Sequence, residues 1–597
     1  MKYPTLYVKE SSRNMVETFR GYNHNLRISD GEFFDMKNLT SDYYPVLSPR
    51  RNRGVYVSDV NPQGLIAKDS LCYVDGPDFI LNGYPISMGL STREEDNPKR
   101  LVSMGAYVII LPDKKYINTA DTTDFGNIEA RVATNAPVSF TLCRVDGTDY
   151  AEGNIPKEEP AEPSNMDLWI DTSTEPHSLK QWSESAGMWV TIATTYIKIA
   201  SPGIGKPFQQ YDGITITGLK DTVLHDNVTG NIIEDTSELA ALEGAAVVWD
   251  KGDDYIVILG VLDRIQTISD SITVSREMPV MDFIVESKNR LWGCRYGEAA
   301  NGEVVNEIYD SKLGDFKNWN CFMGLSTDSY AASVGTDGQF TGAITHLGYP
   351  LFFKENVLHK VYGDYPANIQ IQDTACRGVQ KGCERSLAIV NEMLFYKARS
   401  GVCGYDGSLP VEMSAVMGDE RYSDAVAGAH GNKYYISMMD SQGVYQLFVY
   451  DTAKGMWHKE DSLRADAFCS CREELYCIEH DTGKIITMLG SGTKDTGVVS
   501  WMAETGELAL SSPDMKYISR LTVRMALEIG AEADFYVQYD LDEEWTHVCT
   551  MRGTSLRSFS VPIRPRRCDH MKLRIEGRGV VRIYSITKTI EQGSELS

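Results

Sequence analysis

Leu387-Ala388-Ile389-Val390, a turn, Met393-Leu394-Phe395-Tyr396, a second turn, and then Val402-Cys403-Gly404-Tyr405 form one unit of a pattern that returns along most of the chain. Short apolar runs bounded by Gly, Asp, Asn and Pro read as strands joined by tight turns. The second, aromatic-centred strand of the unit recurs as Leu71-Cys72-Tyr73-Val74, Tyr107-Val108-Ile109-Ile110, Leu291-Trp292-Gly293-Cys294, Leu351-Phe352-Phe353, Tyr434-Tyr435-Ile436 and Leu475-Tyr476-Cys477-Ile478, which makes seven copies. A smaller, flatter strand precedes most of them, as in Leu101-Val102-Ser103-Met104, Ala343-Ile344-Thr345 and Ala425-Val426-Ala427-Gly428. The period lies near the roughly 40 to 50 residues of propeller blades, and small side chains suit an innermost strand that crowds an axis. The pattern predicts an all-β protein, a seven-bladed β-propeller in which loops add a fourth strand to each blade.

Two stretches break the period. Between Tyr107 and Leu291 the gap spans several blades and holds the Glu/Pro-rich segment Pro156-Lys157-Glu158-Glu159-Pro160-Ala161-Glu162-Pro163. Strand-like runs at Asp212 to Gly218 and Tyr255 to Gly260, and a short helix at Ser237 to Gly244, predict an inserted β-rich domain. Past the seventh copy, Thr493 to Gly497 reads as a linker into a β-sandwich, a module of its own whose strands alternate at period two, as in Arg520 to Leu527 and Phe535 to Tyr539. The expected organisation is 1–126, an N-terminal arm and the first blades; 127–275, the insertion; 276–492, the remaining blades; and 493–597, the sandwich.

With 42% hydrophobic and 24% charged residues, the 597-residue chain has the composition of folded globular proteins. A net charge of −25 argues against a general phosphate-gripping surface, because affinity for nucleic acid comes largely from Lys and Arg displacing counterions. The opening Met1-Lys2-Tyr3-Pro4-Thr5 leads into no signal-like apolar stretch, and no run reaches the roughly 18 apolar residues of a membrane span. A cytosolic product without a membrane span is expected. The twelve cysteines lack paired C-x-x-C spacing even at Cys469, Cys471 and Cys477, and are expected as buried free thiols.

No P-loop, H-E-x-x-H, G-x-S-x-G or EF-hand motif occurs, and the ten histidines show no metal spacing, so His24, His430 and His570 are expected in structural roles. Gly490-Ser491-Gly492-Thr493-Lys494 has the wrong spacing for a phosphate cradle. No catalytic, cofactor-binding or metal-binding residue is assigned. Ser311-Lys312-Leu313-Gly314-Asp315-Phe316-Lys317-Asn318-Trp319 resembles the Asp-box turn of sialidases with Gly and Asp reordered, but in that turn the residues are structural. Abundant carboxylates, 83 in all, are no evidence for a glycosidase pair. Trp292, Trp319, Trp457 and Trp545 fall on strand or turn positions, and a sugar-binding platform would need several such rings exposed on one face.

The segment Phe19-Arg20-Gly21-Tyr22 through Gly31-Glu32-Phe33-Phe34-Asp35-Met36-Lys37-Asn38 to Tyr44-Pro45-Val46-Leu47-Ser48-Pro49-Arg50 resembles the opening of phage virion proteins from prophages of gut Firmicutes, and Pro562 to His570 is similar to their closing module. The middle, through Gly363-Asp364-Tyr365-Pro366 and Gly401-Val402-Cys403-Gly404-Tyr405-Asp406-Gly407, resembles the propeller-bearing tail nozzle and packaged-DNA stabilisation proteins of short-tailed phages. The resemblance implies a non-enzymatic virion component, assembled in the bacterial cytoplasm. It would be a homo-oligomeric ring of six copies in the tail, meeting portal, adaptor or tail proteins, with genomic DNA passing through an acidic channel until ejection. Arg50, Arg51 and Arg53, with Arg564, Arg566 and Arg567, are then the candidate subunit or DNA contacts, against the plainer reading of intramolecular ion pairs. The alternative function is a carbohydrate-binding or glycosidase propeller acting on the host surface. A binder of that kind would concentrate exposed aromatics on the insertion or the sandwich.

Overall fold

The computed structural model describes residues 11–592 apart from 59, 92–98, 136, 221, 234–236, 300–301, 492, 495–496, 509–514, 541 and 554. The protein is all-β. Six four-stranded antiparallel meanders and one five-stranded sheet are present among the described residues, and their first strands touch in series around a common centre, with the turn Glu384–Ser386 bridging the fourth and fifth, the arrangement of a β-propeller. Blade one is Pro62–Ala67, Leu71–Asp75, Asp78–Leu81 and Tyr84–Ser87; blade two runs from Arg100–Met104 to Phe125–Asn127. Blade three starts at Phe283–Ser287, blade four at Gly342–His346, blade five at Ala388–Val390 and blade six at Ser423–His430. Blade seven is Ala465–Cys471, Glu474–Glu479 and Ile485–Thr487, and its fourth strand is Gly54–Val57 from the N-terminal arm. Thr493–Lys494, expected as linker, pairs with that same strand.

Burial explains the repeating pattern. Each second strand is covered on both faces by neighbouring blades, so Val108, Ile109 and Ile110, or Leu394, Phe395 and Tyr396, are completely buried. The first strands must be thin: a Cβ on Gly428 would stand 2.3 Å from the Cβ of Phe468 in the next blade.

Between blades two and three, residues 130–276 build a four-stranded sheet, a seven-stranded sheet and a three-stranded sheet, with Ser237–Ala240 as a single helical turn. They enclose an apolar core of their own, centred on Phe140, Ile197, Ile214 and Ile256.

The C-terminal sandwich is not a module of its own, and it begins at Ser500 rather than 493. One sheet is ordered Ser11–Val16, Val581–Gln592, Lys516–Leu527, Arg557–Val561. The other runs Gly21–Tyr22, Glu32–Lys37, Ser500–Thr505, Met571–Arg578, Glu532–Tyr539, Thr546–Arg552. The N-terminal arm thus supplies strands to both sheets before it closes the propeller. Phe19, Tyr22, Phe33 and Met36 enter one apolar core that also holds Phe353, Tyr396, Tyr434 and Trp457 of blades four to six and Phe535 of the sandwich. Gly21, at φ +83°, lies against blade six, where an added Cβ would be 2.3 Å from the Trp457 carbonyl oxygen.

Candidate functional site

The two arginine clusters have different surroundings. Arg53 donates to Asp461 at 2.8 Å and to Glu460 at 2.8 Å, and Arg50 donates to Asp461 at 3.1 Å and Asn38 at 2.9 Å. These bonds join the arm to the loop after blade six; burial pushes the Asp461 carboxyl up, but Arg53 and Arg50 together outweigh it and hold the carboxyl below its ordinary value. Arg50 and Arg53 are therefore consumed inside the chain, while Arg51 is exposed. Arg566 pairs with Asp542 at 2.7 Å, Arg564 accepts the Tyr539 hydroxyl through its carbonyl at 3.1 Å, and Arg567 is exposed. The clusters do not converge on one site.

The N-terminal segment from Phe19 to Arg50 and the histidines singled out in the sequence also make internal contacts. Asp35 pairs with Lys459 at 3.0 Å, and the side chain of Asn38, itself at φ 54°, donates to the Ser500 carbonyl at 2.8 Å. His24 stacks between Tyr22 and Phe34, and its Nδ1 lies 2.8 Å from the Phe34 carbonyl oxygen. His430 meets Ser470 at 2.9 Å, and His570 lies near Glu507 and Asp569. The Asp-box-like turn is structural: Asp315 accepts the Asn318 amide at 2.6 Å, and Asn318 in turn donates to Asp212 of the insertion at 2.9 Å. Asp212 also receives Arg276, whose guanidinium donates to the Ile128 carbonyl at 3.1 Å. This buried hub fastens the insertion to blade three.

All twelve cysteines are free, and burial pushes thiols such as Cys72 and Cys321 up to about 11. Among the described residues no group of three or more His, Cys, Asp or Glu is placed to hold a metal ion, and no helix is long and apolar enough to cross a membrane.

An aromatic face stands out on the insertion. In the small sheet Leu168–Asp171, Ser178–Ser183, Met188–Thr191, Ile170 lies opposite Leu179 and Trp182 opposite Trp189. Strand alternation turns the fully buried Ile170 and Leu179 onto Leu142 and Ile155, and brings Trp169, Lys180, Trp182 and Trp189 to the other face. Trp189 sits between its neighbours, 5.5 Å from Trp169 and 5.4 Å from Trp182 between ring centroids, edge to face in both cases. All three rings are half-buried. The Trp169 Nε1–H donates to the Lys157 carbonyl at 3.1 Å, which fixes that indole. The Lys180 ammonium lies 4.9 Å over Trp169 and 2.6 Å from Asp171, whose carboxyl it holds well below the usual carboxylate range. An apolar surface with fixed rings and a charged rim results.

Sequence reasoning missed these residues. Trp292, Trp319 and Trp457 are buried in blade cores, and Trp545 lies under Arg574 at 4.3 Å. The available signal was density: three of the nine tryptophans fall between 169 and 189.

No family model matches the chain, and no curated protein matches it. Solved structures do align. An exo-β-1,3-galactanase from Phanerochaete chrysosporium is 8% identical, with 51% of this chain and 94% of that one covered at a TM-score of 0.21. A glycoside hydrolase family 43 arabinoxylan arabinofuranohydrolase from Bacillus subtilis is 8% identical, covering 54% and 96% at 0.20. Trypanosoma rangeli sialidase is 9% identical, covering 90% and 96% at 0.23. Likeness of this degree bears on neither substrate nor mechanism. The expectation of a non-enzymatic phage-tail component is corrected only in that the solved structures that align are carbohydrate-acting enzymes.

Proposed function

We propose that this protein is carbohydrate-directed and engages a glycan through the tryptophan face of its insertion. The observation that carries this reading is the grouping of Trp169, Trp182 and Trp189 on one side of a three-stranded sheet whose other side is packed. A pyranose ring has a C–H face and a rim of hydroxyls. Fixed indoles match the first, and a nearby lysine and carboxylate match the second. Edge-to-face packing leaves the rings little freedom to lose, so little ordering cost attends binding.

The test is affinity electrophoresis and a glycan array with the full chain, followed by titration of the best glycan. Trp189→Ala, which removes the central ring, is expected to weaken binding by about tenfold or more. Binding that survives loss of all three tryptophans would refute the proposal. Reducing-end analysis of the same mixtures separates recognition from turnover.

A further inference from the structure

A cavity of about 250 Å³ lies on the propeller axis, lined by the first strands of blades one to four and seven and by the turn Glu384–Ser386 that leads into blade five. Its polar groups are not all used by the fold. Gln63 is 5% exposed, and both its Oε1 and its Nε2 are buried without a partner. A primary amide with neither bond made is an expensive thing to bury, and in native proteins it calls for an explanation.

Arg100, from blade two, extends the argument. Among the described residues its guanidinium makes no side-chain hydrogen bond or ion pair; it lies 4.5 Å over the Phe283 ring, with Glu384 as the principal negative charge acting on it. The other charges on the wall are better occupied. Arg385 donates to the Asp466 carbonyl at 2.9 Å, and the Asp466 carboxylate meets His480 at 2.8 Å. What remains open is a planar fork of N–H donors, an amide that both donates and accepts, and a carboxylate, facing a space walled by aliphatic and aromatic carbon.

We infer that the axial cavity is a binding site for a small carboxylate that also carries a hydrogen-bond donor, either a hydroxyl as in a sugar acid or an ammonium as in an amino acid. The ligand's carboxylate takes the Arg100 fork, the geometry that guanidinium groups serve best. Its donor goes to Glu384, and the Gln63 amide closes on whichever polar atom lies between. The volume sits below the usual range for drug-sized ligands, which restricts the occupant to a small molecule. This site is separate from the tryptophan face and does not rest on the glycan reading.

The experiment is calorimetric titration of the full chain with D-gluconate, L-serine and, as a neutral polyol, glycerol. At least one of the two carboxylates is expected to bind, with glycerol much weaker; which of them binds identifies the donor as hydroxyl or ammonium. Arg100→Gln should lower that affinity by about tenfold or more, and Arg100→Lys, which keeps the charge but loses the fork, should lower it as well. Gln63→Met, close in shape, should weaken binding yet raise the Tm of the free protein by removing the orphaned amide. Trp189→Ala should leave this binding unchanged. The inference is overturned if neither carboxylate binds at millimolar concentration, if glycerol binds as well as gluconate, if both Arg100 variants bind undiminished, or if Trp189→Ala abolishes the binding.

Discussion

Where the sandwich meets the propeller the joint is apolar, and Phe19, Tyr22, Phe33 and Trp457 share one core with blades four to six. The insertion keeps a core to itself and meets blade three at a buried polar hub of Asp212, Arg276 and Asn318. Apolar burial is non-directional and spread over many side chains, so two bodies joined that way melt as one. A polar hub depends on a few bonds that are costly to lose singly but leave each core intact. The sandwich is thus part of the propeller's folding unit, while the insertion, which carries the tryptophan face, is a fixture that can loosen alone.

The sharpest way to break this contrast is to cut each joint. Phe33→Ala should cost about 3–5 kcal/mol and lower a single denaturation transition seen equally by probes in the sandwich and in blade six; two separated transitions would show the shared core to be irrelevant. Asp212→Ala leaves Arg276 buried without its partner, a loss of about 3–5 kcal/mol. It should appear in hydrogen exchange across 130–276 and spare the sandwich.

Acid and alkali should separate the same regions by a smaller amount. His458, in the strand of blade six that meets the arm, is held neutral by burial, which draws its pKa down to about 4. A histidine depressed in the folded state contributes stability that is present above its unfolded value of about 6.5 and lost as pH falls toward 4. Asp310, in blade three, is pushed up to about 7 by burial, with Arg290 opposing the shift. A carboxyl raised in this way contributes stability that is full below its unfolded value of about 3.9 and lost as pH rises through 7. Denaturation midpoints measured from pH 4 to 8 should therefore lose their acid limb in His458→Gln and their alkaline limb in Asp310→Asn. The smallest effect belongs to Arg566→Glu: its exposed pair with Asp542 is worth about 1 kcal/mol or less, so the thermal midpoint should hardly move.

The blades were legible because each second strand is a contiguous apolar run, and a strand covered on both faces has no other way to look. The arm was not, because its partners are remote: Asn38 bonds Ser500, and Arg53 bonds Glu460 and Asp461, across more than 400 residues. Nothing local distinguishes an arginine that docks on another subunit from one that ties down its own chain. The tryptophan face was hidden for a different reason. Period-two alternation says that Trp182 faces opposite to Gln181, but only the pairing register sets Trp189 beside Trp182 and Trp169 beside both. The axial cavity needs seven-fold closure before Gln63, Arg100 and Glu384 become neighbours at all.

The strand Gly54–Val57 is bonded to Ile485–Thr487, with Gly54 and Thr487 433 residues apart. On a ribosome adding about 5–20 residues per second, that early strand waits roughly 20–90 s for the segment that will hold it. Through that interval it is an open β-edge on a nascent polypeptide, and the six earlier blades form an unclosed arc. Synthesis speed, and whatever shields the edge meanwhile, therefore set how many chains reach the ring and how many pair with one another first.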